Sequence, residues 1–211
     1  DIKNPAALIK SLVELLRSYD LTATEQQEII EDIFETTTKI VNLSQEVTRI
    51  LALESSTIHL KKEICQLNDV INDVQRRNTI ASSNKQINVL LDLEDNLPEA
   101  MIDPQKIDEV VDNLLSNAIK FSHKGSQIRL KSYSDEKSIT VEVSDNGLGM
   151  SVDDIRQAFQ RGTRLSAKPT AGESTSGFGL WVVKKLVEAH NGKVWVNSVI
   201  GKGSTFFFNI P

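Results

Sequence analysis

KIDEVVDNLLSNAIKFS, residues 106–122, is the stretch around which the rest of the chain is organised. Its polar residues Asn113, Asn117 and Lys120 stand at i, i+4 and i+7, so on a helix their side chains share one edge. The apolar residues have the spacing of a helix with one buried face: Ile107, Val110, Val111, Leu114, Leu115 and Ala118. Because asparagine is a mediocre helix former, the two amides are either solvated surface groups or a functional pair.

The composition of the 211 residues is that of an ordinary soluble protein, with 39% hydrophobic and 25% charged residues. This length allows one large domain or two small ones. A net charge of −5 gives no reason to expect nucleic acid or an anionic membrane as partner, and no run of roughly 18 apolar residues indicates a membrane span. Because the chain begins with Asp and has no signal peptide, we expect a fragment of a longer protein.

Cysteine and histidine usage indicates neither disulfides nor zinc. The single cysteine, Cys65, excludes an internal disulfide and fits a reducing cytoplasm. The histidines His59, His123 and His190 are not spaced with other ligands as in a metal site. We expect them to occupy surface or helix-capping positions.

The N-terminal quarter has the pattern of a helical hairpin. One helix is predicted over Ala6–Arg17, and Thr24 with Gln27 predicts a capping box that opens a second helix. The second helix carries apolar residues at nearly heptad spacing as far as Ile50. Two helices cannot hide both stripes, so we expect a four-helix bundle with a second copy, or packing against the rest of the chain. The opening DIKNP fits a helix that is capped by Asn4, with Pro5 at its first position.

A hinge predicted at Ser55–Thr57 divides the chain into domains 1–56 and 57–211. After the hinge, alternation of apolar and polar residues, or short apolar runs, predicts strands at 62–65, 87–93, 101–102, 127–133, 138–144, 193–199 and 204–210. Helices are predicted at 67–74, 106–122 and 178–189. The expected fold class is therefore α+β: a helical hairpin followed by a two-layer α/β sandwich, with helices on one face of a mostly antiparallel sheet.

Glycine-bearing loops carry the candidate chemistry. In DNGLGM, residues 145–150, Gly147 and Gly149 permit close backbone approach, and Asp145 places a carboxylate at the mouth of the loop. GFGL, residues 177–180, precedes a helix whose free N–H groups would receive phosphate. Each motif alone is a common turn. The polar segment Phe159–Ser176 between them, with Arg161, Arg164 and Lys168, is interpreted as a lid or a disordered loop.

Together and in this order, the motifs resemble those of the sensor histidine kinases of two-component systems, from the first residue to the last. DNLLSNAIKFS matches the N box, DNGLGM and GFGL match the two glycine boxes, and GKGSTFFFNIP matches the ending. The ATP-binding domain of that family has a fold shared with gyrase, the Hsp90 chaperones and the mismatch-repair ATPases. The resemblance therefore implies an ATP-dependent protein-histidine kinase with ATP and Mg²⁺ as cofactors.

The resemblance also implies the roles of the phosphate and metal contacts. Asn117 would hold Mg²⁺ through its amide oxygen, Asn113 would support it, and Lys120 would reach the phosphates. Arg161 would meet the γ-phosphate from the lid. The backbone of Gly177, Gly179 and Leu180 would cradle the phosphate oxygens.

At the other end of the implied site, Asp145 would accept a hydrogen bond from the adenine amine and so select against guanine. Phe121 would pack near the adenine ring. Gly147, Gly149 and Thr205 complete the implied ATP-binding set. One departure from the family pattern concerns the box before the lid, where only Phe159 remains of two phenylalanines and Arg156 takes the first position. This departure puts the packing of the lid in doubt, but not the nucleotide site.

The opening residues match the family's phosphoacceptor box except for its histidine, which we expect immediately before Asp1. Asp1 would polarise that imidazole, and Asn4 would orient water in a phosphatase reaction on the response regulator. The implied partners are a second copy, joined through the helical hairpin, and a response-regulator receiver domain. The implied location of this fragment is the cytoplasm, without membrane contact, whether the full-length protein is membrane-anchored or soluble.

Two alternatives to kinase activity remain. The first is a non-catalytic relative that binds nucleotide in order to regulate a partner kinase. The second is an ATPase-driven clamp, in which a glutamate one turn before the Mg²⁺ asparagine activates water. Asn113 occupies that position here and cannot act as a base at neutral pH, which disfavours the clamp.

Overall fold

The computed structural model describes residues 3–55, 58–163, 165–173, 175 and 177–211. They form two compact units, with a boundary between residues 57 and 58. Asp1, Arg164, and both Ser56 and Thr57 of the predicted hinge lie outside the described residues. Within the part that is described, no helix is long and apolar enough to cross a membrane.

The first unit is a helical hairpin in which α1 (Lys3–Ser18) packs against α2 (Ala23–Ser55). Helix α1 is described from Lys3 onward, so Asn4 and Pro5 both lie within the helix. Asn4 is thus not the residue that precedes the helix, and Pro5 is not its first residue. The interpretation of Asn4 as a helix cap is therefore wrong.

The capping box of α2 is formed by Thr22 and Glu25, two residues before the predicted pair of Thr24 and Gln27. The Glu25 carboxylate accepts hydrogen bonds from the backbone N–H (2.9 Å) and the hydroxyl (2.7 Å) of Thr22, and Thr22 Oγ1 accepts from the N–H of Glu25 at 3.4 Å. A charged carboxylate is a stronger acceptor than a glutamine amide and suits the positive end of a helix. This difference explains why the helix begins earlier than predicted.

The hairpin leaves much apolar surface in contact with solvent. Helix α1 has no buried residue. The large exposed apolar side chains of the two helices include Leu8, Leu15, Ile30, Phe34 and Val47. The unit therefore needs a further surface to cover these side chains.

The second unit alternates strands and helices in chain order: β1 (Glu63–Cys65), α3 (Leu67–Arg77), α4 (Thr79–Asn84), β2 (Asn88–Leu93), β3 (Ala100–Ile102), α5 (Pro104–Phe121), β4 (Gln127–Ser134), β5 (Ile139–Asp145), α6 (Val152–Gln157), α7 (Gly179–Ala189), β6 (Lys193–Val199) and β7 (Gly203–Ile210). The main sheet has the order β2-β4-β5-β7-β6, and β1 pairs with β3. The β2–β4 pair is parallel and all other pairs are antiparallel. The predicted α+β class, with a helical hairpin and a mostly antiparallel sheet, is confirmed.

Helix α5 contains the N-box residues Asn113, Asn117 and Lys120, and it packs against several elements of this unit. It contacts α3, α7 and β5. Its apolar stripe is buried as predicted, with Ile107, Val110, Val111, Leu114 and Leu115 fully enclosed. Asp103 caps the helix by accepting from the N–H of Lys106 at 3.1 Å, ahead of Pro104 at the first position. Because its apolar face is fixed against neighbouring elements, α5 holds in place the polar N-box residues that line one edge of that face.

His190 occupies the C-cap position of α7, the second of the two kinds of position expected for the histidines, and it is buried rather than at the surface. Only 2% of it is exposed. Its Nε2 accepts from the N–H of Asp103 at 3.0 Å, while Nδ1 lies 2.7 Å from the carbonyl oxygen of Leu186 and donates to it in that tautomer. The imidazole therefore ties the end of α7 to the start of α5, which keeps the two helices of the candidate site in register.

Candidate functional site

Asp145 forms one end of the candidate site. It ends β5, is 7% exposed, and its Oδ1 accepts hydrogen bonds from the N–H groups of Gly147 (2.8 Å) and Ser204 (3.3 Å). Burial raises the pKa of this carboxyl group, and the two N–H donors only partly offset that effect. Oδ2 accepts none of the hydrogen bonds found among the described residues, so it is the oxygen available to a ligand.

The glycines near Asp145 allow close contacts that a side chain would prevent. A Cβ on Gly147 would lie 2.4 Å from the carbonyl oxygen of Phe121. Gly149 has φ +68°, and a Cβ there would lie 2.0 Å from the carbonyl oxygen of Val199. The first glycine box is therefore clamped between the end of α5 and the β6–β7 turn, which brings Phe121 next to Asp145.

The other end of the site lies where α7 begins. A Cβ on Gly179, the first residue of α7, would be 2.9 Å from Asn113 Oδ1 and 3.9 Å from Asn117 Nδ2. Asn113 Nδ2 donates to the carbonyl oxygen of Glu109 at 2.7 Å, and this bond orients its amide. The structure thus brings the second glycine box and both N-box asparagines together at a helix N-terminus, where free N–H groups and the helix dipole favour an anion.

Lys120 and Thr205 lie on the elements that form the two ends of the site. Lys120 is half-buried in the last turn of α5. Thr205 is in register with Ser144 in the β5–β7 ladder, one position from the Asp145–Ser204 pair, and its hydroxyl lies 2.5 Å from that of Ser144. Both residues therefore belong to the elements that hold Asp145 and the N box.

The segment before α7 is anchored at its base by α6. Ser151 and Asp154 form a capping box, and Asp154 also accepts from the N–H of Ser166 at 3.0 Å and from its hydroxyl. The side-chain hydrogen bond from Ser166 is the main reason that the pKa of Asp154 is lowered. Phe159 contacts Phe206 edge-on, with ring centroids 6.4 Å apart. These contacts fix the base of the lid although one phenylalanine of the family pattern is absent.

Of the other predicted residues, Arg161 lies at an exposed position after α6, and Asn4 belongs to the first unit. Arg156, which takes the place of a phenylalanine in the box before the lid, lies on the exposed side of α6 and pairs with Asp153 at 3.3 Å. Ser204, whose N–H donates to Asp145, was not predicted from the sequence. The adjacent Gly203 carried a signal, since its φ of +101° and a clash of a Cβ with the Asp145 carbonyl oxygen at 1.9 Å require glycine there.

The residues present fit a magnesium ion that is shared with phosphate groups. No group of three or more His, Cys, Asp or Glu residues suited to a metal is found in the part of the chain that is described. Mg²⁺, however, prefers oxygen ligands and commonly takes most of them from substrate phosphates and water. A half-turn of the Asn117 amide exchanges its nitrogen and oxygen, so this side chain can present an oxygen next to the start of α7.

Comparisons with known proteins extend over the whole chain. A family model described as "Histidine kinase-, DNA gyrase B-, and HSP90-like ATPase" matches residues 102–211, more than half of the chain. The sensor protein kinase WalK of Staphylococcus epidermidis is 27% identical over 217 residues, covering 100% of this chain and 35% of that protein. The chain thus spans little more than a third of the length of this curated relative.

Solved structures share the fold at low sequence identity. Full-length ShkA in complex with AMPPNP has a TM-score of 0.78 at 21% identity, over 98% of this chain and 46% of that chain. The histidine kinase ThkA in complex with the response regulator protein TrrA also has a TM-score of 0.78, at 20% identity, over 100% of this chain and 58% of that chain. Together with the family model, these matches confirm the resemblance that the N box and the glycine boxes indicated.

Proposed function

Since this chain belongs to the histidine kinase-, DNA gyrase B- and HSP90-like ATPase family, we propose that it is the catalytic core of a two-component sensor histidine kinase. In this proposal, residues 57–211 bind Mg-ATP, and residues 1–56 form the dimerisation and phosphotransfer domain. The γ-phosphoryl group passes to a histidine immediately before Asp1, and from there to an aspartate of a response regulator.

The observation that carries the proposal is the contact between α7 and the N box. Gly179 lies against the amides of Asn113 and Asn117, while the buried Asp145 adjoins Phe121 at the far end of α5. One helix thus connects a place for a triphosphate with a place for a base. A nucleoside triphosphate fits both places, because it has a charged triphosphate at one end and, at the other, a planar base that accepts and donates hydrogen bonds.

At the phosphate-binding end, the proposal assigns a role to each group. The first N–H groups of α7, from Gly179 and Leu180, bind phosphate oxygens, with Gly177 allowing the turn that precedes them. Lys120 and Arg161 add positive charge toward the β- and γ-phosphates. Mg²⁺, when bound through Asn117, neutralises part of the triphosphate charge.

At the base-binding end, Asp145 Oδ2 accepts from the adenine amine while Oδ1 remains bound to the backbone. Guanine presents a carbonyl oxygen at the corresponding position, which would face a carboxylate oxygen without a proton between them. The site therefore favours ATP over GTP, with Phe121, Gly147, Gly149 and Thr205 shaping its walls.

The chemistry proposed is transfer rather than hydrolysis. Asn113 carries a carboxamide, which is not basic at neutral pH, so it cannot take a proton from water; its nitrogen donates to the Glu109 carbonyl oxygen. ATP is therefore held for an aligned acceptor, and phosphoryl transfer depends on that alignment. Asp1 would polarise the acceptor imidazole, and Asn4 would orient the water that hydrolyses the phospho-aspartate of the response regulator in a separate phosphatase reaction.

The proposed partners are a second copy and a receiver domain. The exposed apolar side chains of α1 and α2 suit a four-helix bundle between two hairpins. ThkA, a histidine kinase of the same fold, has been solved with the response regulator protein TrrA, which supports a receiver domain as the acceptor of the phosphoryl group. We place this activity in the cytoplasm.

One observation favours a second candidate, a non-catalytic regulator that binds nucleotide. The first position of the lid's phenylalanine pair holds Arg156, which is exposed and pairs with Asp153. A lid that closes poorly could bind ATP without delivering its phosphoryl group.

One experiment separates these functions. The chain, extended by its native upstream residues, is incubated with Mg-ATP, and free phosphate and protein-bound phosphate are followed together. A kinase gives acid-labile phosphoprotein and slow release of phosphate. Binding of ATP without either product would support the regulator, and fast phosphate release without phosphoprotein would support an ATPase clamp.

A further inference from the structure

Lys85 follows α4 directly, and only 12% of its side chain is exposed. Its ammonium group donates to the carbonyl oxygens of Ile119 (2.8 Å) and Lys120 (3.0 Å) and to Thr170 Oγ1 (2.8 Å). It also forms an ion pair with Glu173, with 2.7 Å between Nζ and Oε1. Since four acceptors surround three N–H donors, at least one proton is shared. Lys85 is therefore held from several sides, unlike a solvated surface lysine.

The two carbonyl groups belong to the last turn of α5, where carbonyl oxygens have no partner within the helix. A cation at this end is also favoured by the helix dipole. The same turn carries Lys120 and Phe121, the proposed phosphate and adenine contacts. Lys85 therefore stabilises the part of α5 that presents both residues to the nucleotide.

Thr170 fastens the lid segment to the same turn. Its N–H donates to the carbonyl oxygen of Lys120 at 3.0 Å, and its hydroxyl donates to that of Ser122 at 2.7 Å. Because this hydroxyl also accepts from Lys85, a continuous chain of hydrogen bonds runs from Lys85 through Thr170 to Ser122.

Glu173 completes the arrangement from the lid side. Its side chain is 28% exposed, and its carboxylate also accepts from the N–H of Ala171 at 2.9 Å. Burial acts to raise the pKa of Glu173, but the hydrogen bonds from Lys85 and from backbone N–H groups outweigh it and lower the pKa overall. The pair differs from Lys184–Glu188 on α7, whose side chains are 44% and 48% exposed and whose atoms lie 3.9 Å apart. The Lys85–Glu173 pair is therefore partly shielded from solvent and salt.

We propose that Lys85 and Glu173 form a latch that fastens residues 170–173 to the end of the N-box helix and thereby slows the release of bound ATP. The inference rests on the proposed nucleotide site, because Lys120 and Phe121 are contacts of that site. Lys85 and Glu173 are positioning residues: they contact the helix end and the lid, and act on the nucleotide through them.

The test replaces Glu173 by Gln, which removes the charge but keeps the size and leaves the contacts of Lys85 with α5 in place. Glu188→Gln is the matched control, since it removes the charge from the exposed pair on α7. Dissociation of ATP is measured by stopped-flow displacement with a fluorescent nucleotide, and exchange of the Thr170 amide hydrogen is measured without nucleotide. We expect Glu173→Gln to raise the dissociation rate about fivefold, with association changed less than about twofold. Glu188→Gln should change neither rate.

Exchange of the Thr170 amide hydrogen tests the latch independently of the proposed nucleotide site. Faster exchange at Thr170 in Glu173→Gln supports the latch even if the parent chain fails to bind ATP, a failure that would contradict only the proposed function. In Lys85→Met, added Glu173→Gln should raise the dissociation rate no further, because the pair is already broken. If Glu173→Gln leaves both the dissociation rate and the Thr170 exchange unchanged, the latch is wrong and Lys85 only caps α5.

Discussion

Asp145 divides its two oxygens between the fold and the proposed ligand. Oδ1 accepts from Gly147 and Ser204, which join the first glycine box to β7. Oδ2 is the oxygen that the proposed function assigns to the adenine amine. Because an asparagine keeps one carbonyl oxygen, it can satisfy the structural contacts while changing the group that faces the base.

We therefore predict that Asp145→Asn folds normally but binds ATP about tenfold more weakly, because its amide N–H₂ would oppose the adenine amine and such a mismatch costs about 1–3 kcal/mol. Calorimetric titration with Mg-ATP measures the effect. Asp153→Asn, the same substitution at an exposed position on α6, is the control and should bind as the parent does. An unchanged dissociation constant for Asp145→Asn would place the base elsewhere.

The buried imidazole of His190 should make the free energy of unfolding depend on pH. Burial lowers the pKa of its imidazole below the usual 6.5, an effect that the hydrogen bond to the Leu186 carbonyl oxygen only partly offsets. Since the unfolded chain takes up the proton more readily, the contribution of His190 is complete above pH 6.5 and is lost as the pH falls from there toward the lowered value.

Chemical denaturation at a series of pH values measures this loss. The free energy of unfolding of the second unit should decrease below pH 6.5 in the parent. The decrease should be smaller in His190→Gln, which is less stable at neutral pH but cannot titrate. His123→Gln, at an exposed position, is the control and should follow the parent. A parent whose stability is the same at pH 7 and pH 5 would contradict the assigned role of the neutral imidazole.

The start of α2 shows how a helix boundary is decided by one acceptor. Both Thr22–Glu25 and Thr24–Gln27 fit the spacing of a capping box, and only the first is formed. Replacing Thr22 by Ala should destabilise the hairpin by about 1 kcal/mol, whereas Thr24→Ala should have little effect. Thermal unfolding followed by circular dichroism distinguishes the two variants. The larger loss in Thr24→Ala would restore the boundary predicted from the sequence.

Long amphipathic elements could be predicted from the sequence, since their pattern reports burial directly. The stripe of α5 and the alternation in β4 and β5 are of this kind. The glycine boxes could be found for another reason, because their residue types and their order along the chain form a specific set of motifs. Helices α4 and α6 were missed because six residues are too few for a helical period to repeat. The parallel pairing of β2 with β4 also left no local signal, because it joins strands far apart in the chain.

Several contacts of the site could not be predicted for a related reason. Lys85 bonds carbonyl groups more than thirty residues away, and any residue type supplies a carbonyl group. Ser204 contacts Asp145 through its backbone N–H, so its side chain carries no signal of the role. Sequence patterns identify side chains selected for chemistry, whereas backbone donors and acceptors become visible only in the folded chain.

The two units together make the proposed enzyme, and the helical hairpin is expected to supply its dimer contact. Phe34, which is 69% exposed on α2, is a large apolar side chain that a second hairpin could cover. We predict that the chain is a dimer and that Phe34→Glu weakens the dimer at least about tenfold, because a charge would be buried without a partner.

Sedimentation equilibrium over a range of protein concentrations measures this association. Ile80→Glu is the matched control, since Ile80 is 76% exposed but lies on α4 in the other unit. It should leave the dimer intact. A parent chain that remains monomeric at high micromolar concentration, or a Phe34→Glu variant that associates as the parent does, would contradict the assignment of the dimer contact to the hairpin.

The central claim is that this chain directs the γ-phosphoryl group of Mg-ATP onto a histidine immediately before Asp1. The most direct measurement is phosphohistidine labelling from γ-labelled ATP, with the site located by mass spectrometry. The chain extended by its native upstream residues should become labelled at that position, with acid-labile and base-stable phosphate. Labelling should be lost when the residue before Asp1 is changed to Gln, and nearly lost in Asn117→Ala, which lacks the metal ligand. Labelling of His59, His123 or His190 in chain 1–211 itself, or undiminished labelling of the extended chain after either substitution, would contradict the account.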